Sequence, residues 1–350
     1  MESLERLESY NFIAMPDNVL SISIVMPTLN SMRTLEACLK SVREQNYPQD
    51  KIEILIVDGG STDATRQTAE KYNCRFIEGG SRDNQEPRKG VGLLNATKDL
   101  VAYIDSDNIL PHKEWMNQSV KPFVEIPDIV GAETLRYGLM PGFAYFNRYC
   151  ALIGANDPVA LYLGKSEKLA WLYDTWQITP VKERRDGYFI VEFNEDTMPT
   201  LGGNGYFAWR KLMLKSNCRP EQYFHIDVVM DLVKLGYTKF AMVENEIYHD
   251  TAASLAKLTS RRKTYFKTHN PMHGNRRYLL FNPAKKQDIM KLCLFIFYSA
   301  TFIQPLLFSL RGYLKKRDSA WFLHPVVCFA FMWAYSAATI SLLFERARKR

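Results

Sequence analysis

Two aspartates one residue apart follow a short apolar run in the segment "LVAYIDSDNILP", residues 100–111. A buried strand does not normally end in paired carboxylates, because removing an ionised carboxylate from water is costly. Carboxylate oxygens are hard ligands of the kind that Mg²⁺ and Mn²⁺ prefer. Asp105 and Asp107 therefore predict a cation site in a crevice at the end of a strand, with a solvated turn as the alternative.

Strand and helix patterns alternate four times over the residues that lead to this pair. The β-type runs are "SISIVMP", "KIEILIVD", "CRFIEGG" and "LVAYID", and the segments between them have helical spacing or helix-start signals. Such alternation predicts an α/β fold with an open, largely parallel sheet. Ligands of these sheets bind beyond the carboxyl ends of the strands, so Asn30, Asp58, Asp105 and Asp107 are expected at one rim.

The common backbone phosphate-binding motifs do not occur where they would be needed. No G-x-G-x-x-G follows the first strand, and no G-x-x-x-x-G-K-[ST] occurs anywhere in the sequence. Dinucleotide-binding and P-loop functions are therefore not supported. A carboxylate-lined rim without such a loop indicates that Mn²⁺ or Mg²⁺ carries the diphosphate of a nucleotide.

Three segments in this order resemble the nucleotide-binding half of the family 2 glycosyltransferases. They are "SIVMPTLNSMRTLEACLKSVREQNYP", "EILIVDGGSTDAT" and "GLLNATKDLVAYIDSDNILP". The resemblance is dense over about residues 20–112 and looser to about 250. It implies a GT-A fold, with a mixed, mainly parallel sheet and flanking helices. It also implies inverting transfer from a nucleotide-diphosphate sugar with a divalent metal.

The resemblance implies roles for residues at the strand ends. Pro27, Thr28 and Asn30 would line the nucleoside pocket, or else they only form a turn. Asp58 would contact the base or ribose, with capping of the next helix as the alternative. Asp105 would face the ribose or the metal, and Asp107 would ligate the metal.

Two departures from the family pattern affect the donor site. Gly59 stands where many relatives have a second aspartate, so the contact to the base rests on Asp58 or a neighbour. The usual arginine–asparagine pair before the last strand is replaced by "RKG". Arg88 and Lys89 are therefore each a candidate for contacting the diphosphate.

The glycine-rich segment "TLGGNGYFAWRKL", residues 200–212, allows its backbone to approach a ligand closely. A similar loop in the resembled family contacts the donor sugar and the acceptor. That likeness implies a loop formed by Gly203, Asn204 and Gly205, with a simple β-turn as the alternative.

The following segment, "EQYFHIDVVMDLVKLGY", predicts a helix ended by glycine. Relatives have an acidic pair at its start, and Asp227 is the first candidate for the general base of inverting transfer, with Asp231 and His225 in reserve. Asp227 could instead cap the helix, and a phosphate acceptor would need no base. His249 is either a third metal ligand, a diphosphate contact or a structural histidine.

The C-terminal part of the chain differs sharply in charge from the rest. From Lys257 onward there are 18 lysines and arginines against three acidic residues, although the whole chain carries only +7. Two long apolar runs, 292–310 and 320–344, could span roughly 28 and 37 Å as helices. The aromatic, basic stretch 260–278 favours an anionic lipid surface, and uncharged helices between basic clusters fit lipid better than nucleic acid.

The orientation of these runs is not settled by their charges. Basic residues would lie on both sides of two crossings, against the usual cytoplasmic bias. Gln304-Pro305 breaks the first run, which could therefore lie in the interface or re-enter. Two buried helices in a soluble domain are the alternative.

These patterns predict a domain organisation. An N-terminal extension, 1–20, without a signal-peptide pattern precedes a catalytic domain, 21–256, with a nucleotide-binding half, 21–112, and an acceptor half, 113–256. A basic interfacial segment, 257–288, leads to two membrane helices with basic flanks, 289–350. The six scattered cysteines indicate reduced thiols, so the catalytic domain is expected to face the cytoplasm.

The leading hypothesis is a membrane-attached inverting glycosyltransferase that uses a lipid-linked or cell-envelope glycan acceptor. A polyprenyl-phosphate glycosyl synthase is the nearest alternative. A nucleotidyltransferase, which would release pyrophosphate, and an inactive membrane scaffold belong to other classes.

Overall fold

A computed structural model describes residues 19–251, 254–268 and 276–349. Nearly all of the predicted N-terminal extension, 1–20, and residues 269–275 of the basic segment lie outside the described residues. The chain divides into two compact units. The first comprises Met1–Leu135 and Thr179–Tyr248, and the second comprises Arg136–Ile178 and His249–Arg350.

The first unit contains a ten-stranded mixed sheet. Its parallel part consists of β1 (Ile22–Thr28), β2 (Ile52–Asp58), β3 (Arg75–Glu78) and β4 (Leu100–Tyr103). These strands lie in the order β3-β2-β1-β4, with Thr28 paired to Asp58 and Val25 to Tyr103. β1 and β4 are buried along their whole length, as expected of parallel strands covered on both faces. The carboxyl ends of β1, β2 and β4 therefore lie at one rim.

The sheet continues from β4 with antiparallel pairs. The remaining strands are β5 (Asn108–Ile109), β6 (Gly131–Tyr137), β7 (Val181–Arg185), β8 (Tyr188–Glu192), β9 (Tyr206–Trp209) and β10 (Lys239–His249). The order onward from β4 is β9-β6-β10-β8-β7, and β5 pairs with β10. β9 is antiparallel to both neighbours, so the segment before it returns to the end of β4. The expected mixed sheet is confirmed.

Helices connect and flank these strands. In the first unit they are α1 (Met32–Arg43), α2 (Thr65–Lys71), α3 (Gln85–Asn95), α4 (Trp115–Glu125), α7 (Arg210–Met213) and α8 (His225–Lys234). In the second unit they are α5 (Tyr145–Ile153), α6 (Pro158–Leu163), α9 (Leu255–Thr268), α10 (Lys286–Thr301), α11 (Ile303–Lys315) and α12 (His324–Lys349). All six cysteines are free thiols.

The second unit is built from helices around an aromatic core. Trp321 and Phe308 are buried in it with their ring centroids 5.8 Å apart. A Cβ at Gly312 would lie 2.4 Å from the Trp321 ring, so only glycine permits this approach. The Lys165 ammonium lies 2.8 Å from the Asp288 carboxylate, a buried ion pair between the start of α10 and the chain after α6. Residues 136–178 of the predicted acceptor half group with this unit.

The second apolar run is one long helix, whereas the first is bent. Among the described residues, Ser319–Leu342 is long and apolar enough to cross a membrane. α10 and α11 meet at 84° and together pass the same test as a broken span. The break falls at Phe302, whose φ is 61°, two residues before the expected break at Gln304-Pro305. Whether either segment crosses a bilayer stays a prediction.

Candidate active site

Asp58 at the end of β2 holds together the loops that follow β1 and β2. Its carboxylate accepts hydrogen bonds from the Thr28 hydroxyl (2.8 Å), the Gly60 N–H (2.8 Å), and the Ser61 N–H and hydroxyl (2.6 Å each). Burial would raise the pKa of Asp58, but these hydrogen bonds outweigh it and hold that pKa below its usual range. The four donors occupy the carboxylate, so a nucleoside reaches Asp58 only by displacing one of them.

Replacing Asp58 by Asn should make stability less dependent on pH. A carboxylate whose folded pKa lies below its unfolded value of about 3.9 stabilises the fold above that pH, and the stabilisation is lost as the pH falls further. We expect Asp58→Asn to lower the midpoint of thermal unfolding at pH 7. The difference in midpoint between the native protein and the variant should become smaller below about pH 4. Asp83→Asn, at an exposed position, serves as the control. A midpoint difference for Asp58→Asn that does not change with pH would contradict the lowered pKa of Asp58.

Pro27 lies near the end of β1, and Asn30 lies in the loop that follows this strand. Pro27 is buried in β1 and pairs with Val57, whereas Asn30 is exposed and has a φ of 50°. The Asn30 side-chain oxygen accepts from the Thr62 N–H at 2.9 Å, and the Asn30 N–H donates to the Ser61 hydroxyl at 2.7 Å. Asn30 thus joins the two loops, and its predicted nucleoside contact stays a prediction.

Arg88 on α3 occupies the space that a side chain at position 59 would need. A Cβ at Gly59 would lie 2.2 Å from Nη1 of Arg88, which donates to the Ser81 carbonyl at 2.8 Å. Burial lowers the pKa of Arg88, and the charges of Asp58, Asp105 and Glu86 oppose that shift. The end of the Arg88 side chain therefore takes the space beside position 59 and would have to move to admit a second aspartate there.

Lys89, the next residue on α3, pairs with the first aspartate after β4. Its side chain is 1% exposed, and its ammonium lies 3.1 Å from Oδ1 of Asp105, whose side chain is 15% exposed. Arg88 and Lys89 thus lie on different sides of one helix turn, one against Gly59 and the other against Asp105. Both lie at the rim where the diphosphate was expected.

Asp105 and Asp107 belong to a tight turn between β4 and β5. The Asn108 side chain accepts from the Asp105 N–H at 2.9 Å, and the Asn108 N–H donates back to the Asp105 carbonyl at 2.9 Å. Burial, and then the charges of Asp107 and Asp105, raises the pKa of the nearby Cys38 thiol. The thiol is therefore neutral, and the two carboxylates supply the negative charge of the turn.

The glycine-rich loop is fixed at both ends. The Gly205 N–H donates to the carbonyl of Tyr103, the last residue of β4, at 2.8 Å. The Gly202 N–H donates to the buried carboxylate of Glu133 at 3.2 Å. Gly205 has a φ of +81°, and a Cβ there would lie 2.7 Å from the Thr134 hydroxyl, so glycine is required. The predicted loop, with Asn204 between two glycines, thus adjoins the end of β4.

The start of α8 also meets this loop. A Cβ at Gly202 would lie 3.3 Å from the His225 carbonyl and 3.5 Å from Cδ2 of the His225 ring. Asp227 is 1% exposed. The Asp231 carboxylate, one turn later, accepts from the Asn217 N–H at 3.2 Å. Of the three base candidates, the structure brings His225 to the glycine loop.

His249 is the last residue of β10 and falls in the second unit. Its ring centroid lies 5.2 Å from that of Tyr137. Its role as a metal ligand or diphosphate contact stays a prediction.

A comparison with known families matches the part of the chain that contains the donor-site loops. The model of glycosyl transferase family 2 matches residues 23–173. Residues 23–173 are a family 2 glycosyltransferase domain. The match spans β1, β2, β4 and the aspartate turn, and the expected GT-A-type mixed sheet with flanking helices is confirmed.

Individual relatives share this part of the glycosyltransferase domain. Glycosyltransferase AglE of Haloferax volcanii is 29% identical over 104 residues, covering 28% of this chain and 34% of its own. A dolichyl N-acetyl-glucosaminyl phosphate glucuronosyltransferase of Methanococcus voltae is 30% identical over 114 residues, covering 30% and 34%. A Pyrobaculum calidifontis mannosyltransferase structure with GDP-Man and Mn²⁺ covers 98% of this chain and 94% of its own, at 14% identity and TM-score 0.46. The chain spans about a third of the length of these two curated relatives.

The side chains of the glycosyltransferase domain that could ligate a metal fit a divalent cation that is bound together with a substrate. Within the described ranges, no group of three His, Cys, Asp or Glu side chains is arranged to hold a metal. Mg²⁺ is usually held by one or two carboxylates, several waters and the phosphates of the substrate. Asp107 and Asp105 meet that requirement, although Asp105 also carries the Lys89 ion pair.

Glu86 and Glu133 are site residues that sequence reasoning did not identify. Glu86, in the first turn of α3, accepts hydrogen bonds from His225, and Glu133 in β6 holds Gly202. Each is a charged residue buried at 1% exposure. A carboxylate in a run otherwise patterned for burial, as in "GAETLRY", was the signal available in the sequence.

Proposed function

We propose that this chain is a membrane-associated inverting glycosyltransferase that moves a sugar from a nucleotide-diphosphate sugar to a lipid-linked or cell-envelope glycan acceptor. The observation that carries the proposal is the arrangement around α3. Arg88 and Lys89 lie at the ends of β2 and β4, beside Asp58 and the Asp105–Asp107 turn. A diphosphate needs such cations, and the glycine loop adjoins the same strand end.

Each part of this arrangement has a role in the proposed reaction. The loops fixed by Asp58 and Asn30 would receive the nucleoside, and Arg88 and Lys89 would stabilise the departing diphosphate. Asp107, with Asp105, would hold Mn²⁺ or Mg²⁺, which supplies charge stabilisation of the leaving group. A group at the start of α8, where Asp227 and His225 are the candidates, would take the proton of the acceptor hydroxyl.

The surface of the second unit supports attachment to a membrane. Of the 25 large hydrophobic side chains exposed in the described part of the chain, 17 lie between Ile289 and Phe344. Exposed apolar surface of this extent is typical of lipid contact, and the flanking basic residues favour an anionic headgroup layer. The catalytic domain would face the cytoplasm, where nucleotide sugars are available.

The proposed membrane location supports the proposed class of acceptor. A membrane-held enzyme meets its acceptor at the bilayer surface, so a lipid-linked glycan or a lipid phosphate is the suitable substrate. The Methanococcus voltae relative has a dolichyl phosphate-linked sugar in its name. This likeness supports a lipid-linked acceptor.

We expect the purified full chain, in detergent with Mn²⁺, to transfer label from one of a panel of radiolabelled nucleotide sugars to a lipid-diphosphate glycan, with release of nucleoside diphosphate. A parallel reaction contains bare polyprenyl phosphate. Labelling of polyprenyl phosphate alone would establish the synthase alternative. Pyrophosphate release would indicate a nucleotidyltransferase, and no turnover with any donor would favour an inactive scaffold.

A further inference from the structure

A buried carboxylate and a histidine form a pair beside the glycine loop. Glu86 accepts from the His225 backbone N–H at 2.9 Å, and its two oxygens lie 3.0 and 2.9 Å from Nδ1 of the His225 ring. The two residues are 139 positions apart in the chain and meet because α3 and α8 pack together.

Electrostatics favour an ionised Glu86 in this pair. Burial would raise the pKa of Glu86, but the charge and hydrogen bonds of a protonated His225, and then the charge of Lys89, outweigh burial and hold that pKa at about 2. The hydrogen bonds from the His225 backbone N–H and from Nδ1 favour the same carboxylate when the ring is neutral. An ionised carboxylate only accepts hydrogen bonds, so Nδ1 of His225 must carry the proton. Nε2 is then the ring nitrogen left to accept a proton from a ligand.

The free edge of the His225 ring lies at the predicted substrate loop. Cδ2, the carbon bonded to Nε2, lies 3.5 Å from the position of a Cβ on Gly202. The side chain of His225 is 13% exposed, whereas Asp227 is 1% exposed. Among the described residues, Nε2 has no hydrogen-bond partner. A ligand at the glycine loop therefore meets His225 before it meets Asp227.

We propose that His225 is the general base of the transfer reaction and that Glu86 is its positioning residue. This assignment rests on the proposed function. The acceptor hydroxyl oxygen attacks the anomeric carbon, and its proton passes to Nε2 of His225. The bond from that carbon to the phosphate oxygen breaks, its electron pair leaves with the nucleoside diphosphate, and Glu86 stabilises the imidazolium that forms.

Other titratable groups lie close to the Glu86–His225 pair. Lys89 lies on the same helix as Glu86, and the hydroxyls of Tyr103 and Tyr223, hydrogen-bonded to each other, adjoin that carboxylate. The Glu133 carboxylate accepts a hydrogen bond from the Gly202 N–H at 3.2 Å. Burial raises the pKa of both tyrosines, so they stay neutral, and Glu86 is the carboxylate that contacts the ring.

A purely structural role for Glu86 makes a different prediction. Glu86 could serve only to cap α8 through the His225 N–H. Gln at position 86 keeps an amide oxygen for that N–H but removes the charge that fixes the ring. We therefore expect Glu86→Gln to fold, to lower kcat about tenfold with little change in the donor KM, and to move the acid limb of the kcat/KM profile to lower pH.

Histidine side-chain NMR of the full chain tests the pair without activity. The chain has six histidines, and His225→Gln identifies the signal of His225. We expect the Nδ1-protonated tautomer in the native protein above pH 8 and a shift toward the Nε2-protonated form in Glu86→Gln. An Nε2-protonated His225 in the native protein would overturn the assignment.

Kinetics of matched variants complete the test. His225→Gln should lower kcat about 10²-fold, and exposed Glu70→Gln on α2 should behave as the native protein. If Glu86→Gln and His225→Gln retain native kinetics while Asp227→Asn is inactive, Asp227 is the base and the pair only caps α8. Absence of transfer by the native protein would overturn the proposed function itself, whatever tautomer His225 adopts.

Discussion

Asp107→Asn is expected to lower sugar transfer about 10³-fold while leaving the fold intact. Asp107 is only partly buried, and its charge lies beside Cys38 in the turn after β4. Asparagine keeps the size of the side chain but loses the charge that attracts a divalent cation. The leaving diphosphate would then lose a stabilising interaction worth several kcal/mol.

The measurement combines transfer kinetics with thermal unfolding in the presence of nucleoside diphosphates, with and without Mn²⁺. The native protein should be stabilised by one nucleotide only when metal is present, and Asp107→Asn should not. Asp186→Asn is the matched control, since Asp186 is exposed in the β7–β8 turn and, within the described ranges, forms an ion pair with Lys121 alone. Full transfer by Asp107→Asn would rule out its role as a metal ligand.

Lys89→Met should destabilise the first unit by about 3 kcal/mol. The substitution keeps the volume of the side chain but leaves the Asp105 carboxylate without its cation, and removing one partner of a buried pair is strongly destabilising. Thermal unfolding of the full chain in detergent gives the shift in midpoint. Lys121→Met, which breaks the exposed pair with Asp186, should cost less than about 1 kcal/mol.

A double variant separates loss of the ion pair from loss of packing. Lys89→Met combined with Asp105→Asn removes the unpaired charge and should recover much of the stability, because residues in contact are not additive. Equal losses for Lys89→Met and Lys121→Met would show that the Lys89–Asp105 pair contributes no more than a surface pair. Mn²⁺ should also stabilise Lys89→Met more than the native protein, since Asp105 is then available.

The sequence alone was sufficient to predict which polar residues lie at the rim of the parallel sheet. β1, β2 and β4 are continuous apolar runs that end in polar residues, and parallel strands bring their carboxyl ends to one edge. Asp58, Asp105 and Asp107 could therefore be placed from local pattern. The kink in the first apolar run was also visible, since proline disfavours a helix interior.

Only the tertiary structure decided which groups act on one another. Glu86 meets His225, Arg88 fills the space beside Gly59, and Lys89 pairs with Asp105, because α3 packs against the sheet with its charged residues pointing to different neighbours. Residues 136–178 joined the helical unit for the same kind of reason. Strand ends follow from local periodicity, whereas contacts between distant segments depend on how whole elements pack, which no short stretch of sequence encodes.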